Sequence, residues 1–393
     1  MSATIDKGLT RTKLACYVSN ITGMAIGNLP PLLFITFREL YGIPYSLLGT
    51  LVLINFSTQL AADLIFSFLS QKFNIKLTLR LMPLITLAGL VLYALAPVLF
   101  GAYVYFGLAL GTMVFSFAMG LGEVLLSPVI AAIPTDNPEQ EMTRLHSLYA
   151  WGVILVVGIS TIFLTFAGSA RWQLLVILFA LIQLLPAFLF LISPIPELQG
   201  EDQKGSIGVL IRNKSMWLCV LSIFLGGSAE CTMEQWSSGY LEMALGIPKA
   251  MGDIFGVALF ALMLGTGRTL YAKYGRNITK VLLWGSVGAV VCYATAFASQ
   301  SPLLGLAACA LTGLCTSMLW PGSLVAVAER IPSGGVVMYA MMAAGGDIGA
   351  SLGPQLAGII ADGAGIRYGI LAGLFFPLCG IGVNYLLHRQ SKR

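Results

Sequence analysis

The chain has 393 residues, of which 57% are hydrophobic and 10% are charged, and its formal net charge is +5. Soluble domains carry about 25% charged residues, so this composition excludes an ordinary soluble protein. The basic excess is spread along the chain and forms no single soluble face, so we expect no nucleic-acid partner. The partner that the composition predicts is the lipid bilayer.

Apolar segments of about 20 residues follow one another along the chain, each long enough to cross roughly 30 Å of hydrocarbon as a helix. Only a helix satisfies its own backbone hydrogen bonds in lipid, so we predict an all-α integral membrane protein with twelve transmembrane helices. The predicted spans are residues 14–37, 45–68, 79–100, 103–131, 146–168, 172–192, 216–241, 250–272, 278–299, 302–327, 337–360 and 367–387.

The longest polar segment runs from Ser193 to Ser215 and separates the first six spans from the last six. We therefore predict an N-terminal six-helix bundle at 1–192, a cytoplasmic linker at 193–215 and a C-terminal six-helix bundle at 216–393. Basic connections at 72–76 and 273–276 repeat at about half the chain length. Such repetition is typical of transporters built from two parallel repeats.

Charge counting predicts the orientation of the chain. Most of its 22 lysines and arginines lie in connections on one side of the membrane, if the N-terminus is cytoplasmic. The positive-inside rule then places both termini in the cytoplasm of a plasma or bacterial inner membrane. The seven cysteines fall in apolar segments without a paired motif, so we expect neither disulfides nor a metal site.

Ionised side chains at mid-bilayer cost about 3 kcal/mol or more, so the few acids in the spans need a reason. Glu123 in the fourth span is predicted to bind the coupling proton and to contact substrate; the alternative is a structural pair, with Arg268 as a candidate partner. Glu230 and Glu234 lie one turn apart in the seventh span and are predicted to bind substrate, with Glu230 also carrying a proton. Alternatively, Glu234 is a hydrated residue near the outer surface.

Asp347 in the eleventh span lies among glycines at four-residue spacing, a pattern that lets two helices approach closely. It either faces the cavity as a third proton-coupling acid or caps a bend. Arg268 in the eighth span is predicted to pair with an acid, with a substrate contact as the alternative. Asp63 in the second span is predicted to belong to an inner gate.

Polar and aromatic side chains complete the predicted site. Trp236 follows Glu230 in the seventh span, and a carboxylate beside an indole ring is a common way to hold a sugar. The remaining predicted substrate-binding residues are Asn28, Gln59, Trp151, Trp320 and Gln355, and Asn20, Asn55 and Gln183 are further candidates. Interhelical hydrogen bonding is the alternative for the amides. Lys72 and His146 are assigned to the gate and the structure, with a proton relay as a further alternative for His146.

Short motifs carry a family resemblance. They are Gly120-Leu-Gly-Glu123 with Ser127-Pro128, Leu145-His146-x-x-Tyr149-x-x-Gly152, Glu230 with Trp236, Gly267-Arg268, and Gly349-x3-Gly353-Pro354. The chain resembles the fucose–galactose–glucose proton symporters of the major facilitator superfamily. The resemblance implies the major facilitator fold and two functional acids, in the first and fourth spans. Glu123 lies at the second of these positions, whereas Asn28 stands at the first, so a two-acid mechanism is not carried over intact.

The loop after the second span departs from the superfamily pattern. Its glycines and aspartate are replaced, with Ser67, Gln71, Lys72, Asn74 and Lys76 at the motif positions. This difference removes the basis for an aspartate-based inner gate at that loop.

Sequence motifs for phosphate binding, metalloprotease or hydrolase activity are absent from the chain, so we predict no enzyme and no cofactor. The predicted function is a monomeric secondary active transporter that works by alternating access and takes up a neutral sugar or similar small polar solute with a proton. One buried arginine among several acids argues against a multiply anionic substrate. The alternatives are a proton-coupled exporter of drugs or cationic metabolites and, in a different class, a membrane sensor or enzyme.

Overall fold

The structure is a computed structural model that describes residues 7–69, 73–135, 138–196, 207–331 and 335–390. Within these ranges the chain forms helices and contains no β-strand. The α-helices are α1 Lys7–Thr22, α2 Leu29–Tyr41, α3 Tyr45–Leu69, α4 Ile75–Ala94, α5 Ala96–Phe100, α6 Val104–Ala131, α7 Pro138–Ala167, α8 Trp172–Ile182, α9 Leu184–Ile192, α10 Ile207–Arg212, α11 Lys214–Leu245, α12 Lys249–Gly252, α13 Leu259–Tyr274, α14 Ile278–Ala298, α15 Pro302–Thr316, α16 Leu319–Arg330, α17 Gly335–Ala364, α18 Ile366–Gly373 and α19 Phe375–Gln390.

Hydropathy and helix length agree along the chain. Among the described residues, 10 helical segments are long and apolar enough to cross a membrane, and Trp151–Ala167 is a shorter apolar helix. The predicted fifth and eleventh spans lie in α7 and α17, each of 30 residues. The predicted all-α membrane architecture is confirmed.

The first and eighth spans each contain a segment of another helix type. In the first, the 3-10 segment Met24–Asn28 separates α1 from α2, and all five of its residues are buried. Two prolines follow in the first turn of α2, where their missing N–H groups break no helical hydrogen bond. In the eighth span, the π-helical segment Asp253–Ala258 precedes α13. Such segments are frequent at functional sites.

Internal contacts divide the chain into two compact units. The first unit contains Met1–Pro30 and Thr58–Glu201, and the second contains Pro31–Ser57 and Asp202–Arg393. The predicted linker lies partly outside the described residues, because residues 197–206 are not described. The predicted division into bundles at 1–192 and 216–393 therefore stays a prediction.

Small residues bring helix backbones together in each unit. In the first unit, a Cβ atom at Gly111 of α6 would lie 2.7 Å from the Cα atom of Tyr93 in α4. In the second, a Cβ atom at Gly353 of α17 would lie 2.7 Å from the carbonyl oxygen of Ser228 in α11. The hydroxyl of Ser228 also donates to the carbonyl of Gly349 at 2.9 Å. The eleventh-span glycines thus allow the close helix approach that their spacing predicts.

Candidate functional site

The first unit holds two acids on neighbouring helices. A Cβ atom at Gly120 of α6 would lie 2.7 Å from the carbonyl oxygen of Gln59 and 2.8 Å from the Cβ atom of Ala62, both in α3. Asp63 follows Ala62 directly, and Glu123 lies one turn after Gly120. Asp63 and Glu123 therefore lie on adjoining helices within about a turn of this contact, and the charge of Glu123 acts on Asp63.

These two acids differ in exposure. Asp63 is half-buried, and its Oδ1 atom is buried without a hydrogen-bond partner among the described residues. Glu123 has an exposed side chain, although the sequence places it inside the fourth span. In the described part of the chain, neither carboxylate forms an ion pair with a lysine, arginine or histidine.

Amide side chains in the first unit have two kinds of environment. Asn20 donates to the carbonyl of Leu145 at 2.6 Å, and Gln183 donates to the carbonyl of Thr22 at 2.8 Å, so both connect helices. Asn28, at the end of the 3-10 segment, donates to the hydroxyl of Tyr149 at 3.0 Å. Its Oδ1 atom is buried and accepts no hydrogen bond from the residues described, so it can accept one from a ligand.

Two further amides of the predicted set are buried. Gln59 in α3 is 2% exposed and Asn55 is 7% exposed. Gln59 also contributes its backbone to the contact at Gly120.

In the second unit, an arginine neutralises one acid. The Nη2 atom of Arg268 in α13 lies 3.0 Å from Oε1 of Glu230 in α11, and its Nε donates to the carbonyl of Ser317 at 3.1 Å. Oε2 of Glu230 is buried and accepts no hydrogen bond within the described ranges. Arg268 therefore has an acid partner, as the sequence suggests, and that partner is Glu230.

The second unit has an acidic cluster around Cys231. The charges of Glu230, Glu234, Asp347 and Arg268 all act on the Cys231 thiol. Glu234 is 7% exposed and Asp347 is 4% exposed, so both lie inside the unit. Three carboxylates and one guanidinium leave a surplus of negative charge when all are ionised. Buried charge of this kind needs a compensating proton or cation.

Trp236 packs against aromatic residues of its own unit. Its ring lies 5.4 Å from that of Phe34 and 5.8 Å from that of Tyr45, measured between centroids. The indole N–H donates to the carbonyl of Pro354 at 2.9 Å, and the residue is 2% exposed. The predicted sugar-stacking role of Trp236 does not fit this packing, because the ring has no open face.

The other predicted tryptophans lie in different surroundings. The Trp320 indole contacts α17 at Gly346, where a Cβ atom would lie 2.6 Å from Cζ2. This ring also packs against a cluster of buried apolar residues and is partly exposed. Trp151 is 59% exposed.

Three predicted residues remain. Gln355 in α17 is half-buried, and its buried Oε1 atom has no hydrogen-bond partner in the described chain, so it can accept a hydrogen bond from a ligand. Lys72 lies outside the described residues, and so does the side chain of His146, which belongs to α7.

A carboxylate that the sequence did not single out caps α3. The backbone N–H groups of Tyr45 and Ser46 donate to Asp362 of α17 at 2.7 and 2.8 Å. Arg38 lies 4.0 Å from this carboxylate and 4.1 Å from the centre of the Tyr45 ring. The sequence signal was the proline before Tyr45, because Pro44 supplies no capping side chain and the helix needs a cap from elsewhere.

The predicted cytoplasmic side of the first unit contains a second unpredicted network. Glu141 of α7 accepts a hydrogen bond from Tyr17 of α1, and its Oε1 lies 3.0 Å from Nζ of Lys13. The Nη1 atom of Arg144 lies 3.6 Å from the same Oε1 atom of Glu141. The Tyr17 hydrogen bond, followed by those interactions with Lys13, lowers the pKa of Glu141.

Comparison with known proteins identifies a family. Residues 15–285 match the sequence model of the Major Facilitator Superfamily. An uncharacterized MFS-type transporter of Yersinia pestis is 25% identical over 281 residues, which cover 71% of this chain and 72% of the relative.

Solved structures share the fold. A D-xylose–proton symporter superposes with a TM-score of 0.77 at 12% identity, covering 97% of each chain. The fucose:proton symporter of E. coli superposes with a TM-score of 0.66 at 15% identity, covering 98% of this chain and 99% of the symporter. The predicted resemblance and the predicted fold of two six-helix bundles are confirmed.

Proposed function

Because the chain belongs to the Major Facilitator Superfamily, whose members are membrane transporters and not enzymes, we propose that it is a proton-coupled secondary transporter. In this proposal it takes up a neutral sugar or a similar small polar solute by alternating access. Both termini lie in the cytoplasm, and the protein works as a monomer in a plasma or bacterial inner membrane.

The observation that carries the proposal is the environment of Glu123. Its side chain is exposed and has no ion-pair partner in the described chain. A permanent cation would hold such a group ionised. Without one, its charge depends on its surroundings, and a conformational change can make it bind or release a proton.

The substrate class follows from the groups that are free to accept hydrogen bonds. In the second unit, the Oε2 atom of Glu230 and the amide oxygen of Gln355 have no donor in the described chain; in the first unit, taken by itself, the same holds for the amide oxygen of Asn28. Hydroxyl groups of a sugar are donors that suit such acceptors. Two structural neighbours of this chain are symporters of xylose and fucose with protons, which supports a sugar as the first substrate to test.

A second candidate function has its own support. The charges of Glu230, Glu234 and Asp347 act on Cys231, and Arg268 is the basic side chain of the described chain that acts there with them. A cationic solute would compensate this surplus of negative charge as well as a proton would. The second candidate is therefore proton-coupled export of cationic compounds.

Proton movement in liposomes distinguishes the two candidates. The purified protein is reconstituted without a membrane potential, and the external pH is followed after adding L-fucose, D-xylose or tetraphenylphosphonium. Sugar uptake with protons makes the external medium alkaline, whereas exchange of an external cation for internal protons acidifies it. Liposomes without protein give the background. A screen of neutral sugars and polyols that gives no pH change above background contradicts the first candidate.

A further inference from the structure

We propose that Asp63 is a second proton-binding residue and that it shares the coupling proton with Glu123. The sequence assigns Asp63 to an inner gate, and the structure gives reasons for a different role. The role of Asp63 rests on the proposed function, since a coupling proton has a use only in a proton-driven transporter.

The first reason is the position of the two acids. The contact at Gly120 leaves no room for a Cβ atom between α3 and α6. Such an atom would lie 2.7 Å from the carbonyl oxygen of Gln59 and 2.8 Å from the Cβ atom of Ala62. Asp63 and Glu123 extend from the two helices next to this contact. A small residue at Gly120 is therefore what allows the carboxylates to approach, because any side chain there would separate the helices.

The second reason is the hydrogen bonding of Asp63. A carboxylate only accepts hydrogen bonds, whereas a protonated carboxyl group also donates one. The buried Oδ1 atom of Asp63 accepts none from the residues described. When one of the two acids takes a proton from water, its new O–H group can donate to the other acid. One proton then supplies a partner and removes one of two adjacent negative charges.

The third reason is the absence of a compensating cation in the described chain. The charge of Glu123 acts on Asp63, and the five ion pairs of the described residues include neither acid. Two carboxylates that interact strongly lose their protons in two separate steps. One proton shared by the pair removes the repulsion between two adjacent negative charges.

Labelling with dicyclohexylcarbodiimide tests the pair without a known substrate, because this reagent modifies protonated carboxyl groups in apolar surroundings. The full-length protein in detergent is labelled at neutral pH, and mass spectrometry measures the label on each acid. We expect the labels on Asp63 and Glu123 to sum to about one per chain, since the two acids share one proton. Asp63→Asn should lower labelling of Glu123 several-fold, and Glu123→Gln should lower labelling of Asp63 likewise.

Two control variants make the result specific. Asp63→Glu keeps the acid and should restore labelling of Glu123. Glu329→Gln removes an exposed carboxylate of α16 and should leave labelling of both acids unchanged. If Asp63→Asn does not fold, the reciprocal measurement on Glu123→Gln still decides the question.

The proton pair is disproved if the two acids label independently, so that the loss of one leaves labelling of the other unchanged. It is also disproved if sodium ions at fixed pH protect the two acids from labelling, because the pair would then bind sodium. The outcome is separate from that of transport. Shared labelling without proton movement in liposomes would support the proton pair and contradict the proposed function. Proton-coupled transport with independent labelling would support the proposed function and contradict the proton pair.

Discussion

The two units of the protein treat their acids differently. In the first unit, Asp63 and Glu123 lie on adjoining helices, and neither has an ion-pair partner in the described chain. In the second unit, Glu230 lies 3.0 Å from the guanidinium of Arg268. An arginine therefore pairs with one acid of the second unit, whereas no lysine, arginine or histidine of the described chain pairs with Asp63 or Glu123 in the first.

This difference suggests a division of labour. A carboxylate that binds a guanidinium is held in position, so it suits orientation of a substrate. A carboxylate without a cation changes its charge when its surroundings change, so it suits coupling to protons. The sequence alone treated Glu123, Glu230 and Asp347 as equivalent candidates for the proton, and the ion pair separates Glu230 from the others.

The largest expected effect is that of Glu123→Gln, which tests the first unit. Glutamine keeps the size and the hydrogen-bonding capacity of the side chain but cannot release a proton. Uptake against a gradient should fall to background, while exchange of labelled for unlabelled substrate across the membrane should persist. Both are measured in the same liposomes once a transported sugar is found. Concentrative uptake at the wild-type rate would remove Glu123 from the coupling mechanism.

Arg268→Ala tests the second unit. The change leaves Glu230 buried without a cation, and breaking a buried pair costs about 3–5 kcal/mol. The Arg268 side chain is 36% exposed, so the lower end of that range is expected. Thermal unfolding in detergent should show a clear loss of stability, and the double variant Arg268→Ala/Glu230→Gln should recover most of it. If the double variant is no more stable than the single one, charge pairing is not what Arg268 contributes.

Helices and spans were the predictable part of this fold. Hydropathy alone located the long apolar segments, because the bilayer fixes their length and leaves helix as their only backbone structure. The close approach at Gly349 and Gly353 was also readable, since small residues at four-residue spacing have a local cause. These features depend on residues near one another in the chain.

The site was less predictable because its contacts join distant residues. Trp236 looked like a stacking platform until Phe34 and Tyr45 were found to pack on its ring. The sequence assigned Asp63 to a gate without showing that α6 contacts α3 at Gly120, next to Asp63. Periodicity gives the face of a helix, but it does not say which other helix that face meets.

Asp362→Ala tests a carboxylate that is outside both acid centres. Asp362 accepts the N–H groups of Tyr45 and Ser46, so its loss should cost about 1 kcal/mol, as for a helix cap. Asp362→Asn keeps an acceptor oxygen and should lose less. Thermal unfolding compares the two variants, and the pH dependence of transport should be unaffected in both. A changed pH profile of transport would show that Asp362 also matters for proton coupling.

The smallest expected effect concerns Glu141, a carboxylate outside the predicted spans whose partners hold it ionised. Hydrogen bonding from Tyr17 and the charge of Lys13 lower its folded-state pKa below the usual 4.5. A group with a lowered pKa stabilises the fold fully above its unfolded pKa and loses that contribution as pH falls through the folded pKa. Protonation of Glu141 below pH 4.5 should therefore lower the free energy of unfolding by less than about 1 kcal/mol, because an ion pair near a surface contributes little. Unfolding of Glu141→Gln, measured against wild type from neutral to acidic pH, should show a difference that shrinks as pH falls. A difference that grows toward acidic pH would mean that protonated Glu141, and not the ion pair, stabilises the contact between α1 and α7.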